Sequence, residues 1–348
     1  MRTLPFLLIS LVVAGAVFAG AMAGGNDYIF FAGYVVLQYI VLSTAWNILG
    51  GYCGYVNFGT GAFFALGAYS TVAIYNLIGK NELTHVIAIP ALMLVGGVVS
   101  GIVGLGMGYL TLRLRGAFFS IATLALAVVL ETLIVNWDYV GGSRGAYILR
   151  PETMPLIGSY VRYLFLVMLL LAIGSLVIAR LIEHSRLGYG MATIRDDEMA
   201  AEASGVPTLR VKLIATTISG ALMGMAGAPF PYYIGYLQPD STFALDYAIN
   251  AIAMPLIGGT STWIGPLIGA VLLDSLQQLI TVTISSAVNL LIVGLLLVAF
   301  VILAPNGIVG LFQKYFRRKD HDSVGRRRAS LDEPGGAPAA GSAPESPA

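Results

Sequence analysis

Apolar side chains run along most of this chain and give way only to short polar stretches. A helix that crosses a bilayer needs about 20 apolar residues in succession. Ten segments meet or approach that length: 4–23, 28–49, 61–78, 86–110, 117–135, 160–182, 213–234, 245–258, 265–283 and 287–304. The runs are continuous and do not alternate, so they predict helices, not the strands of a β-barrel. The third follows a glycine-rich stretch, GGYCGYVNFGTGAFFALGAY, and the eighth is short. Either reads as a re-entrant or broken element, which would leave about eight or nine complete crossings. The expected fold is all-α, a polytopic transmembrane helical bundle of about 8–10 spans.

Composition agrees. The chain is 57% hydrophobic and 11% charged, against about 25% charged for a soluble protein. The net charge of +1 gives no reason to expect a nucleic-acid partner. Cys53 is the single cysteine, which excludes an intrachain disulfide and a metal site built on several thiolates. His85, His184 and His321 are scattered over different loops, and no nucleophile–base arrangement is visible. No metal site, cofactor or catalytic residue is therefore expected, and a membrane enzyme finds no support. The chain also lacks a G-x-x-x-x-G-K-[ST] phosphate loop, so it is not itself an ATPase of that type.

Residues 1–316 read as the membrane domain and 317–348 as a tail, basic at first and then rich in Pro, Ala, Gly and Ser. Such a tail buries too little apolar surface to fold. Its basic part reads as a topology anchor, with contact to anionic membrane lipid as the alternative. Residues 1–23 read as a retained first helix. Arg2 and the run Ala21–Met22–Ala23 leave a cleaved signal peptide as the alternative. With the N-terminus inside and ten crossings, 15 of the 19 Lys and Arg residues lie inside; Lys80, Arg144, Arg150 and Arg162 lie outside. The positive-inside rule then predicts a multi-pass protein of the bacterial inner membrane with both termini cytoplasmic.

One inner loop, 183–212, stands apart. Across ATIRDDEMAAEASGVPTLRVKL, residues 192–213, seven of 22 side chains are charged. Each charge at a span centre would cost about 2.5–3.5 kcal/mol, so the segment stays out of the hydrocarbon. Thr193 is a plausible N-cap, Asp196, Asp197 and Glu198 suit a first turn, and Gly205 with Pro207 is a stop signal. These predict a short helix over 194–204. Ala200, Ala201 and Ala203 give it a thin side that another surface can approach. Arg195, Asp196, Asp197, Glu198 and Glu202 surround that side. By pattern alone this is either a helix that docks on a cytoplasmic partner or a solvated linker.

Glu198, Ala200, Ala201 and, three residues on, Gly205 resemble the EAA-type coupling motif of ABC importer permeases. IRDDEMAAEASGV (194–206) is similar to the cytoplasmic loop of branched-chain amino-acid permeases, M-type subunit. Four further stretches resemble that family in the same order: GYVNFGTGAFFALGAY (54–69), LRLRGAFFSIATLALAVVLE (112–131), GGSRG (141–145) and GYLQPDSTFALDYAINAIAMPLIGGTSTWIGPLIGAVLL (235–273). The resemblance covers about 46–310. It implies a non-catalytic permease paired with a related sister permease, a heterodimer or alternatively a homodimer. It also implies two cytoplasmic ABC ATPases carrying ATP-Mg, and a periplasmic substrate-binding protein. Arg195, Asp196, Asp197, Glu198, Ala200, Ala201, Glu202, Ala203 and Gly205 would form the coupling contact. Branched-chain or other hydrophobic amino acids would be the cargo, with urea, amides or small carboxylates as the alternative. The chain departs from the family pattern at Thr60, where His or Gln is common, and at Asn250, where an acid is common. Pro255 interrupts the eighth span.

Other positions bear on the path. Gly97 with Gly101, Gly104 with Gly108, Gly220 with Gly224 and Gly265 with Gly269 have the spacing of small-residue helix packing. Glycine at 50, 51, 54, 59, 61 and 67 favours a broken element, tolerated in a membrane only against protein or water. Asn57, Phe58, Gly59, Thr60 and Gly61, together with Asn250, are the candidate path-lining residues. Glu131, Asp246 and Asp274 are acids in or near apolar spans. Asp274 leaves open a proton- or sodium-coupled secondary carrier. Arg144 reads as an exposed loop charge, or as a contact for a binding protein or a carboxylate ligand.

Overall fold

The computed structural model describes residues 3–23, 27–78, 89–111, 114, 116–149, 153–154, 158–283, 291, 294–295, 297–299, 302 and 307–311. The first five helices are α1 (Thr3–Ala23), α2 (Asp27–Cys53), α3 (Thr60–Ile78), α4 (Ile89–Thr111) and α5 (Ala117–Val135). A loop follows with strands β1 (Ala146–Tyr147), β2 (Thr153–Met154) and β3 (Gly158–Ser159). Then come α6 (Tyr160–Glu183), α7 (Arg186–Asp196), α8 (Glu198–Ala203), α9 (Thr208–Gly227), α10 (Phe230–Ile234) and β4 (Tyr236–Leu237). The last described elements with stated bounds are α11 (Pro239–Thr242), α12 (Leu245–Gly258) and α13 (Ile264–Thr283). The fold is the all-α membrane bundle that the sequence predicts.

Among the described residues eight stretches are long and apolar enough to cross a membrane: α1 to α6, the run Thr208–Ile234, and α13. The eighth sequence candidate is not one of them. The 14 residues of α12 rise only about 21 Å, short of a hydrocarbon layer of about 30 Å. The tenth candidate falls largely outside the described residues, and the tail 317–348 lies outside them entirely.

In lipid there is no hydrophobic drive between helices, so close packing through small residues takes over. Helix α4 shows this plainly: Gly96, Gly97, Ser100, Gly101, Gly104 and Gly108 form its buried side, while Leu94, Val98, Ile102 and Leu105 face outward. That side lies against α9. A Cβ on Gly224 would sit 2.5 Å from the Gly96 carbonyl oxygen, and one on Gly67 of α3 would sit 2.0 Å from that of Gly224. Three helices thus meet backbone to backbone. Helices α12 and α13 close in the same way, since a Cβ on Gly269 would sit 1.8 Å from the Met254 carbonyl oxygen.

The helices alternate between two faces. On one, Arg195 reaches the Gly51 carbonyl at the end of α2, and the Trp263 N–H reaches Glu183 at the end of α6. On the other, Arg162 forks onto Asp27, at 3.1 Å from Nε and 3.0 Å from Nη2, joining the starts of α6 and α2. There β1 pairs antiparallel with β4, Ala146 opposite Leu237 and Tyr147 opposite Tyr236.

Candidate coupling site

The charged loop folds as two helices, not one. Helix α7 ends at Asp196, and Asp197 is extended at φ −160 and ψ 112. The N-cap is Asp197, not Thr193: its Oδ1 accepts from the Met199 N–H at 2.9 Å and the Ala200 N–H at 3.1 Å. Thr193 lies inside α7 and its hydroxyl donates to the Gly190 carbonyl. The expected single helix over 194–204 is therefore corrected to α7, a break at Asp197, and α8. Thr193, inside α7 and bonded to the Gly190 carbonyl, cannot cap α8, whereas the Asp197 carboxylate satisfies N–H groups that the start of α8 leaves unpaired.

The far end of α8 follows the sequence reading. Gly205 takes φ +84, its N–H donates to the Glu202 carbonyl, and the Val206 N–H donates to that of Ala201. This is a Schellman closure, in which glycine adopts the left-handed conformation without steric cost.

The two sides of α8 differ. Arg195, Asp196, Asp197, Met199, Ala200, Glu202, Ala203 and Gly205 are exposed. Ala201, expected on the thin docking side, is only 3% exposed and packs into the chain's own core. Glu198 also turns inward, to Lys212 in the second turn of α9.

That contact is the least expected feature of the site. The Lys212 side chain is 3% exposed and that of Glu198 14%, with Nζ 2.6 Å from Glu198 Oε1. Lys212 Nζ also donates to the Tyr55 hydroxyl at 3.1 Å and lies 4.6 Å from the Tyr55 ring centroid. The Tyr55 hydroxyl in turn donates to Glu198 Oε2. A charge removed from water is tolerated when it is paired and hydrogen-bonded. The sequence reading took Lys212 as one more inner-face positive charge. Its flanks, Val211 and Leu213, were the available signal that it is buried.

Tyr55 lies near the start of the non-helical part of the glycine-rich segment. Residues 54–59 are non-helical between α2 and α3 and run back along the ends of both helices. Their backbone groups are satisfied by side chains. Trp46 Nε1 donates to the Asn57 carbonyl at 2.9 Å, and the Ser120 hydroxyl donates to that of Val56 at 2.9 Å. The Phe58 N–H donates to Thr123 Oγ1 at 3.1 Å, and the Gly59 N–H to Asn57 Oδ1 at 2.7 Å. Irregular backbone within a membrane protein needs such internal partners. At its start, Gly54 holds φ +80, and a Cβ there would lie 3.0 Å from Arg195 Cγ. The loop and the broken segment thus touch twice, through Arg195 and through Lys212 with Glu198.

Within this segment the candidate path residues separate. Asn57 and Thr60 are 1% and 0% exposed, so in this conformation both are packed inside the chain, although Asn57 Nδ2 and Thr60 Oγ1 lack hydrogen-bond partners among the described residues. Gly59 is buried beside them. Phe58 and Gly61 line a cavity of about 180 Å³ with Glu131, Asp240 and Phe243. Asn250 belongs to a different cluster, accepting from Gln277 at 2.9 Å and approaching the Tyr39 hydroxyl. Asp274 is 2% exposed, and its Oδ2 accepts from Gln278 at 2.6 Å. Asp246 opens α12. Arg144 is exposed in a turn whose carbonyl accepts from the Tyr236 hydroxyl.

Residues 28–301 match the sequence model of a family described as branched-chain amino acid transport system / permease component. The chain is 27% identical to the high-affinity branched-chain amino acid transport system permease protein LivM of Salmonella typhimurium, over 84% of this chain and 72% of that protein. The Escherichia coli LivM protein gives the same identity and coverage. A probable branched-chain amino acid transport permease protein LivH of Methanocaldococcus jannaschii is 25% identical, over 75% of this chain and 85% of that protein. No solved structure matches.

Proposed function

This chain belongs to the family of branched-chain amino acid transport system permease components, and on that premise we propose that it is the membrane-spanning subunit of an ATP-driven ABC importer. Helix α8 is the point at which cytoplasmic ATPases dock. The observation that carries this reading is the asymmetry of α8. One side is fixed to α9 and to Tyr55, while Met199, Ala200 and Ala203 are exposed on the other. A solvated linker needs no buried ion pair beneath it. A handle that must deliver force does, because a partner shifts a conformational equilibrium only through contacts that differ between states.

In this reading the face carrying α7 and α8 is cytoplasmic and the face carrying β1 and β4 is periplasmic. A related permease completes the translocation unit, two ATPases bind beneath it and supply ATP-Mg, and a periplasmic protein delivers the cargo. The cargo is a branched-chain amino acid, supported by the names of the relatives. The path runs beside Asn57–Gly61, where the broken segment enters α3.

The test replaces Ala200 by Trp and measures ATPase co-purification with the complete importer in lipid. Ala201 is avoided because it is buried. The expected result is loss of the ATPases with the membrane domain still folded. Retained ATPase would contradict docking on α8, and uptake that survives nucleotide depletion would point to ion coupling.

A further inference from the structure

We infer that Glu198, Lys212 and Tyr55 form a transmission latch, through which movement of α8 reaches the broken segment 54–59. The inference rests on the permease reading above and assigns positioning roles to three side chains that turn into the chain, away from the exposed side of α8. Three features carry it. First, the three side chains close a ring: Lys212 Nζ donates to Glu198 Oε1 and to the Tyr55 hydroxyl, which donates to Glu198 Oε2. Each comes from a different element, the first residue of α8, the second turn of α9 and the start of the broken segment. Second, the ring is shielded, with Lys212 and Tyr55 at 2% and 7% exposure and Phe119 edge-on to the Tyr55 ring at 5.1 Å. Glu198 keeps 14% of its side chain exposed, so water has only limited access to these bonds and the ring resists separation of its members.

Third, what lies downstream is not a regular helix. Val56, Asn57 and Phe58 are held by side chains of Ser120, Trp46 and Thr123. A displacement at Tyr55 therefore enters a segment held by exchangeable side-chain contacts and leading directly to Phe58 and Gly61 of the cavity. A continuous helical ladder would resist the same displacement along its whole length. Two packed elements with discrete arrangements are what coupling between sites requires.

The experiment uses the complete importer in proteoliposomes. Three preparations are compared: Tyr55→Phe, which keeps the ring against Phe119; the neutral pair Lys212→Met with Glu198→Gln; and the exchanged pair Lys212→Glu with Glu198→Lys. The readouts are bound ATPase, the rate of ATP hydrolysis and cargo transported per ATP. In Tyr55→Phe and the neutral pair, transport per ATP is expected to fall about threefold to thirtyfold, the range over which coupling networks respond to single changes. ATPase binding and basal hydrolysis stay unchanged in Tyr55→Phe; the two pairs, which alter Glu198 in the docking helix itself, are compared per bound ATPase. The exchanged pair recovers part of the ratio. A purely structural pair would lower the amount of folded complex without moving transport per ATP, and that result overturns the latch. Lost ATPase binding in Tyr55→Phe also overturns it, by making the hydroxyl part of the docking contact. If the unaltered chain binds no ATPase, it is the permease reading that fails.

Discussion

Lys212 shows how far a single residue can depart from its sequence neighbourhood. Two charges were moved from water into a packed site, and each is tolerable only because of the other. Removing one partner of a buried pair typically costs about 3–5 kcal/mol, whereas replacing both by neutral groups is often close to neutral. Lys212→Met alone is therefore expected to lower the thermal midpoint of the detergent-solubilised protein markedly. Adding Glu198→Gln restores most of it. Equal loss in single and double variants would mean that Lys212 contributes packing and not charge pairing. Sequence reasoning could place the charge near the inner face but not find its partner. Glu198 is fourteen positions away on another helix, and Tyr55 is 157 positions away, so no helical period connects them. Ala201 was misread for a related reason. In a short helix every alanine looks equally thin, and only tertiary packing decides which one is covered.

At the scale of elements, the sequence was informative wherever one physical demand dominated. Apolar length alone located α1 to α6, α9 and α13, because a backbone in lipid must satisfy itself within a helix. Glycine density located the break before α3, and Gly205 located the end of α8. The break between α7 and α8 was not legible, since Asp197 is equally compatible with a first helical turn and with a cap. The spacing of Gly220 and Gly224 did report close packing, and this can be tested directly. A side chain at Gly224 would meet Ser100 Oγ at 2.2 Å and the Gly96 carbonyl at 2.5 Å, and backbone cannot retreat as a side chain can. Gly224→Val is expected to reduce the folded fraction severely, by more than the usual overpacking cost of about 1–3 kcal/mol. Gly106→Val, where nothing lies within 4 Å, serves as the control and leaves the fraction unchanged. Similar behaviour of the two in size-exclusion profiles would contradict the backbone-to-backbone crossing.

For the whole molecule, the helices define two faces with different tasks. One gathers α7, α8 and the buried Lys212–Glu198 pair; the other carries the Arg162–Asp27 fork and the small β1–β4 ribbon. Asn57 and Thr60 are both enclosed in this conformation, packed away from any open surface. That is why composition and glycine pattern could mark the segment but not assign each side chain a role. In the proposed importer α8 faces the cytoplasm and carries the ATPase. The most direct measurement introduces cysteine at exposed Ala203, in a background with Cys53→Ser, and follows thiol crosslinking in inverted and right-side-out membrane vesicles containing the full importer. The expected result is an adduct with the ATPase in the assembled importer and, once the ATPase has been stripped from the membrane, labelling by an impermeant maleimide in inverted vesicles alone. Labelling in right-side-out vesicles, or a thiol that stays free in the assembled importer, would contradict it.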